Sequence, residues 1–121
     1  MKKILIVDDE EKVRKLVEIT LSVGDAEILH ASSGDEALKI AQEDKPDIIL
    51  LDIMMPGRFD GFDVCSLLKK DPNTKHIYII MLTAKGQQVD KEKGLASGAD
   101  DYFVKPFSPM ELMDKIDNVL A

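Results

Sequence analysis

Short uninterrupted apolar runs alternate along the chain with longer stretches in which apolar residues recur every three or four positions. An uninterrupted run is typical of a strand that is covered on both faces, as in a parallel sheet, whereas the i, i+3, i+4 spacing is typical of one face of a helix. The runs that predict strands cover residues 4–7, 26–31, 48–51, 77–82 and 102–104, and 26–31 is the weakest of them.

A helical segment follows each of these five runs. Four of the segments have a clear apolar face, within residues 13–21, 37–41, 64–68 and 112–120. Ser32 or Ser33 can cap the second helix, and Ser108 can cap the last, with Pro109 at its first position. The fourth helix, at about residues 88–97, is the poorest, because it holds few large apolar residues and an interior glycine, which costs about 1 kcal/mol relative to alanine.

The alternation of strand and helix, repeated five times, predicts an α/β fold. Strand–helix–strand connections in a parallel sheet are almost always right-handed, so the pattern predicts a three-layer α/β/α sandwich around a five-stranded sheet. The length of 121 residues and the hydrophobic content of 45% suit one domain with a core of its own. We therefore expect a single domain over residues 1–121.

Polar side chains follow four of the predicted strands, at the point where each strand ends. The carboxyl ends of parallel strands meet at one edge of a sheet, which is where open α/β sheets bind ligands. The pattern therefore predicts that three carboxylates, a hydroxyl and an ammonium lie close together. These groups belong to Asp8 and Asp9 after the first strand, Asp52 after the third, Thr83 after the fourth and Lys105 after the fifth.

This set of groups indicates phosphoryl transfer with a metal ion. Three ionised carboxylates and one ammonium carry a formal charge of −2, so the site needs a cation. Oxygen ligands favour Mg²⁺ over zinc or copper, and Mg²⁺, a carboxylate nucleophile, a hydroxyl and a lysine form a phosphoryl-transfer set. Asp52 is the best candidate for the nucleophile, because its strand is expected to be central, and Asp8 and Asp9 are then candidates for holding the metal.

The acidic residues also have a structural interpretation. Aspartate is a good N-cap, and acids stabilise the first turn of a helix, so Asp8 and Asp9 could simply cap the first helix. Asp52 by itself could accept a hydrogen bond within a loop.

Composition and charge disfavour two classes of binding partner, nucleic acids and membranes. The net charge of −7 disfavours direct nucleic-acid binding, which depends on basic residues that neutralise phosphates. No apolar run approaches the roughly 20 residues of a membrane helix, and the run near Met1 is too short for a signal peptide. Cys65, the single cysteine, is interpreted as a small buried apolar residue. We therefore expect a cytoplasmic protein that binds no membrane.

Five segments of the chain form a recognisable series: ILIVDDE at 4–10, DIILLDIMMPG at 47–57, DGF at 60–62, LTA at 82–84 and GADDYFVKPF at 98–107. Together they resemble the receiver domains of two-component response regulators. The resemblance spans the whole chain and implies a flavodoxin-like sheet with strand order 2-1-3-4-5. It also implies a phosphoacceptor regulatory domain that catalyses only its own phosphorylation and dephosphorylation, rather than an enzyme with a separate substrate.

The resemblance also implies a role for each site residue. Asp52 would receive the phosphoryl group from a sensor histidine kinase or a histidine phosphotransfer protein, and Thr83 and Lys105 would hold its oxygens. Thr83 and Tyr102 would form the switch, although Tyr102 could instead be an ordinary half-buried tyrosine of a strand. The implied Mg²⁺ ligands are Asp8, Asp9, Asp52 and the backbone carbonyl of Met54.

A phosphorylation-dependent homodimer is a further expectation from the resemblance. It would form through the face made by the fourth helix, the fifth strand and the fifth helix. The alternative is a solvated surface, on which ion pairs contribute roughly 0–1 kcal/mol each. The residues of this predicted interface are Leu95 and two pairs of opposite charge, Lys91 with Glu111 and Asp101 with Lys115.

Two further features of the sequence concern the output of the domain and the length of one loop. Residues 63–77 equally resemble receivers of diguanylate cyclases and of stand-alone regulators. The loop at Gly57–Asp60 is one residue longer than the commonest form, and Phe59 stands where the family usually has methionine.

Three other functions compete with a phosphoacceptor. A Mg²⁺-dependent phosphatase of the haloacid-dehalogenase type would need a second aspartate two residues after Asp52, where this chain has Met54. A flavin-binding electron carrier would need a loop rich in Ser, Thr and Gly after the first strand, whereas the acids at residues 8–11 would repel a phosphate. A degenerate receiver that signals without phosphate should lack a key residue, and none is missing.

Overall fold

A computed structural model of the chain describes residues 2–22, 24–55, 57–83, 88–104 and 108–121, and the side chains of residues 83 and 88–91 lie outside this description. Strands and helices alternate in the predicted order. The strands are β1 (Lys3–Val7), β2 (Glu27–Ala31), β3 (Ile48–Asp52), β4 (Tyr78–Thr83) and β5 (Asp101–Val104). The helices are α1 (Glu11–Leu21), α2 (Gly34–Asp44), α3 (Gly61–Lys70), α4 (Gln88–Ala96) and α5 (Pro109–Leu120).

The five strands form one parallel sheet of order β2-β1-β3-β4-β5. This is the predicted 2-1-3-4-5 order, so the three-layer α/β/α fold is confirmed. The central strand β3 is paired on both sides, with Ile49 opposite Leu5 of β1 and opposite Ile79 of β4. Within the described residues, no helix combines the length and the apolar character that crossing a membrane requires.

The strands are apolar throughout because each face of the sheet has its own core. Successive side chains of a strand point to opposite faces. One core lies under α2 and α3, and the other lies under α1 and α5. The strand residues of the first core are Leu5, Val7, Ala31, Ile49, Leu51, Ile79 and Met81, and those of the second are Ile4, Ile6, Ile48, Leu50, Ile80 and Leu82.

The helix starts follow the predicted capping chemistry. Ser33, rather than Ser32, caps α2, and its hydroxyl accepts a hydrogen bond from the Glu36 N–H at 3.2 Å. Ser108 caps α5 in the same way, and Pro109 is the first helical residue, as predicted. Cys65 is fully buried in α3, where burial raises the pKa of its thiol above the ordinary value.

The ammonium of Lys69, near the end of α3, connects this helix to the segment before β4 and to the turn before β5, at the amino end of the sheet. It donates hydrogen bonds to the carbonyl oxygens of Ile77 at 2.7 Å and Lys75 at 3.2 Å, just before β4. It also contacts the carboxylate of Asp100 at 2.7 Å, and the same carboxylate oxygen accepts the N–H of Ile79 at 2.9 Å. One partly buried ammonium on α3 therefore satisfies acceptors from the segment before β4 and from the turn before β5.

Replacing Lys69 by methionine keeps the aliphatic stem and removes this charged donor. We expect Lys69→Met to lower the free energy of unfolding by about 1–3 kcal/mol, because carbonyl and carboxylate groups lose a charged partner. Urea denaturation followed by circular dichroism measures the change. Lys70→Met is the matched control, since Lys70 is exposed on the same helix and should change stability by less than about 0.5 kcal/mol. Equal stability losses in the two variants would contradict this account.

Candidate functional site

The strand register brings Asp8, Asp52 and the backbone of Thr83 to one edge of the sheet. Val7, the last residue of β1, pairs with Leu51 of β3, so Asp8 and Asp52 come next on adjacent strands. Asp52 in turn pairs with Leu82, and Thr83 follows it as the last residue of β4. The pairing continues past the strand ends, because the Ile53 N–H donates to the Leu82 carbonyl at 3.3 Å.

Two of the predicted acids are buried at this edge. Asp8 is 1% exposed and Asp52 is 7% exposed, and Thr74 is the other buried polar side chain among the described residues. Burial of a carboxylate is costly unless opposite charges or hydrogen bonds compensate it. A buried acid on each of two adjacent central strands therefore marks this edge as the chemically distinctive part of the described structure.

An acidic trio forms where the chain leaves β1. One carboxylate oxygen from each of Asp8, Asp9 and Glu10 lies within 4.8 Å of the others. Asp52 is not one of the three, and its carboxylate sits at the end of the neighbouring strand. Glu10 was not selected from the sequence, although its position directly after the two aspartates was the available signal. Oxygen donors at this spacing fit a small hard cation such as Mg²⁺.

The capping interpretation of Asp8 and Asp9 is not what the structure shows. Glu10 is the N-cap residue of α1, and its side chain makes no capping hydrogen bond. Asp8 instead accepts the N–H of Glu10 on its Oδ1 atom at 2.9 Å, and its own N–H donates to the carbonyl of Ala31 at 3.1 Å. Asp8 therefore shapes the turn that precedes the helix rather than its first turn.

Helix α3 begins in direct contact with the end of β3. Asp60 caps α3 and forms a reciprocal capping box with Asp63, at 2.9 and 3.1 Å. The N–H of Gly61 donates to the Ile53 carbonyl at 2.9 Å. A Cβ atom on Gly61 would lie 2.7 Å from the Ile53 Cα and still closer to the Asp52 carbonyl oxygen. Glycine at this position therefore lets the helix approach the backbone of Asp52.

Phe59, in the longer loop, is partly buried against the core beneath α2 and α3. A Cβ atom on Gly34, the first residue of α2, would lie 2.7 Å from the Cβ of Phe59, so the two segments pack closely. The Arg58 guanidinium lies 4.9 Å from the centre of the Phe59 ring. On the other side of the same connection, Met54 is 73% exposed. The bulky residue thus anchors the loop to α2.

The predicted switch and interface residues lie on the other half of the sheet. Tyr102 is half-buried in β5, packs against the core beneath α2 and α3, and pairs with Met81. The ammonium of Lys115 contacts the carboxylate of Asp101 at 2.8 Å within the same chain, and this hydrogen bond raises the pKa of Lys115 above its ordinary value. Leu95 is 49% exposed on α4.

Several predicted site positions lie outside the described residues. Lys105 belongs to this group, together with the side chains of Thr83 and Lys91. For Thr83, the structure establishes only the backbone position, at the end of β4 and opposite Val104.

Comparisons with known proteins are consistent with one family. Residues 4–117 match the family model of the response regulator receiver domain. The chain is 49% identical over 118 residues to "Probable transcriptional regulator ycf27" of Guillardia theta, covering 98% of this chain and 45% of that protein. It is 46% identical to the alkaline phosphatase synthesis transcriptional regulatory protein PhoP of Bacillus subtilis, covering 98% of this chain and 48% of that protein.

A solved protein structure has the same fold as this chain and a related sequence. The chemotaxis protein CheY4 of Vibrio cholerae superimposes with a TM-score of 0.89 and 35% identity, covering 98% of both chains. The chain spans about half the length of the curated relatives that it matches.

We expect Gly61→Ala to lower the free energy of unfolding by about 1–3 kcal/mol, because the added methyl group would collide with the backbone of residues 52–53. Gly94→Ala is the matched control. A Cβ atom at Gly94, inside α4, would meet the Met81 Cγ at an ordinary 3.6 Å, so this variant should gain about 0.5–1 kcal/mol from helix propensity. Chemical denaturation of both variants measures these changes. A stable Gly61→Ala protein would show that the helix can move away from the edge.

Proposed function

Because the chain belongs to the family of response regulator receiver domains, we propose that it accepts a phosphoryl group on Asp52. The observation that carries this proposal is the buried carboxylate of Asp52 at the end of the central strand β3, beside the strand that leads into the acidic trio. A nucleophile at this place is held by a strand that is hydrogen-bonded on both sides. The position therefore suits in-line attack on a phosphorus atom presented from solvent.

The proposed donor is the phosphohistidine of a sensor histidine kinase or of a histidine phosphotransfer protein. An oxygen of the Asp52 carboxylate forms a bond to phosphorus as the N–P bond to the imidazole breaks, and the imidazole leaves with that electron pair. The product is an acyl phosphate on Asp52. Water later cleaves this acyl phosphate, releases inorganic phosphate and restores the carboxylate.

Mg²⁺ is the proposed cofactor. Its protein ligands would be Asp8, Asp9, Asp52 and the backbone carbonyl of Met54, and the carboxylate of Glu10 lies close enough to contribute. When bound, Mg²⁺ offsets the negative charge on the phosphoryl oxygens. The chain's own contribution is to hold the carboxylates of the site at the end of two adjacent strands.

The signal would then pass to the opposite half of the sheet. Phosphorylation replaces one negative charge on Asp52 with about two. Thr83 and Lys105 would hold the phosphoryl oxygens, and movement of Thr83 would let the ring of Tyr102 turn inward. Such a change is a two-state population shift. Support comes from Tyr102, which is half-buried in β5, the strand next to the one that ends at Thr83.

The proposed setting is the cytoplasm, as one domain over residues 1–121 that receives a signal and passes it to an output. Two matched relatives are named as transcriptional regulators and are about twice as long as this chain. Regulation of transcription is therefore the output that we propose. Direct nucleic-acid binding is not assigned to these residues, because the net charge of −7 opposes it. The comparisons give no support to the haloacid-dehalogenase-type phosphatase.

We expect Asp52→Asn to abolish the incorporation of acid-labile phosphate, because the amide is a poor nucleophile and cannot form the acyl phosphate. The measurement is labelling with a phosphorylated histidine kinase or a small phosphodonor in the presence of Mg²⁺. Asp114→Asn, an exposed change of the same kind on α5, is the control and should label like the unmodified protein. Undiminished labelling of the Asp52 variant would refute the assignment.

We also propose that the phosphorylated protein dimerises through α4, β5 and α5. Because Asp101 and Lys115 already pair within one chain, we assign the contact between subunits to Lys91 and Glu111. Glu111 is exposed in the first turn of α5. Leu95, exposed on α4, would add apolar contact area beside this pair.

Charge reversal tests this interface. Lys91→Glu or Glu111→Lys alone should weaken the phosphate-dependent dimer by about tenfold or more, because like charges then face each other. The double reversal should restore most of the dimer. Light scattering coupled to size-exclusion chromatography of the phosphorylated protein measures both effects. If either single reversal leaves the dimer intact, the assignment of this pair is wrong.

A further inference from the structure

Arg14 reaches from α1 to the backbone that carries the acidic trio. It is the fourth residue of the helix, and long helical side chains point back toward the helix N-terminus. Its Nη1 atom donates a hydrogen bond to the carbonyl oxygen of Asp8 at 2.6 Å. The side chain is half-buried, and its Nε atom is buried with no hydrogen-bond partner in the part of the chain that the structure describes.

The contact from Arg14 completes a set of hydrogen bonds around Asp8. The N–H of Asp8 donates to Ala31 at 3.1 Å, its Oδ1 atom accepts from Glu10 at 2.9 Å, and its carbonyl accepts from Arg14. The carbonyl of Asp8 belongs to the peptide group that joins it to Asp9. Holding that carbonyl therefore fixes the direction in which the chain enters Asp9 and Glu10.

We propose that Arg14 is a positioning residue that pre-organises the acidic trio for a divalent cation. This inference rests on the proposed function, which places Mg²⁺ at these carboxylates. Arg14 acts through the peptide backbone and does not touch the ion. Groups that orient metal ligands in this way typically contribute tenfold or more to metal affinity. Arginine suits the role because its guanidinium is rigid and always charged.

The charge of Arg14 and its positioning role have opposite effects on cation binding. A cation is repelled by a nearby guanidinium, so removal of the charge alone would strengthen the binding of Mg²⁺. Loss of the hydrogen bond to Asp8 would loosen the trio and weaken the binding. The direction of the change in affinity therefore separates positioning from simple electrostatics.

The experiment is isothermal titration of the full chain with MgCl₂, without phosphodonor. We expect Arg14→Met to bind Mg²⁺ about tenfold more weakly than the unmodified protein, and Arg14→Lys to show an intermediate affinity. Lys15→Met is the matched control, because Lys15 is the exposed residue that follows Arg14 on the same helix. It removes the same charge without a contact to Asp8 and should leave the affinity within about twofold.

Circular dichroism and thermal denaturation without Mg²⁺ establish that each variant is folded. If Arg14→Met does not fold, Arg14→Gln, which is also neutral and too short to reach the Asp8 carbonyl, takes its place with the same expectation. A folded Met or Gln variant that binds Mg²⁺ as tightly as the unmodified protein, or more tightly, overturns the proposal. An affinity loss of equal size in Lys15→Met also overturns it.

The same titration separates this proposal from the proposed function. If the unmodified protein takes up no Mg²⁺ at millimolar concentrations, the proposed metal site itself is wrong. If the unmodified protein binds Mg²⁺ and labels on Asp52 while the Arg14 variants bind equally well, only the positioning role fails.

Discussion

The parallel pairing of β1, β3 and β4 is the constraint on which the rest of this structure depends. These strands run side by side in register, and their side chains fill a separate core on each face of the sheet. Slipping the register by one residue would turn every apolar side chain to the opposite face. The register that satisfies both cores is also the one that places Asp8 beside Asp52. Packing of the core therefore sets the geometry of the acids.

The favourable free energy of core packing offsets the cost of burying carboxylates at this edge of the sheet. The carboxylates at the end of β1 and β3 repel one another, and two of them are largely removed from water. The structure compensates locally with one backbone donor, the N–H of Glu10, to the Asp8 carboxylate and with the guanidinium of Arg14 at the Asp8 carbonyl. A cation at this edge, as proposed above, would offset the remaining repulsion between the carboxylates.

The two ends of the sheet differ in how firmly they are held. At the amino end, Lys69 and Asp100 join α3, β4 and the turn before β5 through short charged hydrogen bonds. Near the carboxyl end, α4 is a short helix with an interior glycine, Gly94, which is buried next to Met81. Segments of low local stability are where a regulated change is least costly. The lower local stability of the sheet therefore lies toward its carboxyl end.

The sequence by itself determined the order of the elements, the two-sided burial of the strands and the edge at which Asp8 and Asp52 lie. It could do so because a strand buried on both faces appears as a continuous apolar run that a polar residue ends. The strand order came from resemblance to known receivers, because apolar runs carry no record of which strands are neighbours. Only the tertiary structure revealed that Glu10 lies beside Asp8 and Asp9, that Phe59 packs against the core and that Arg14 contacts Asp8. An arginine on an amphipathic helix looks like any solvated residue in sequence, and its contact with Asp8 exists only because α1 folds back over the end of β1.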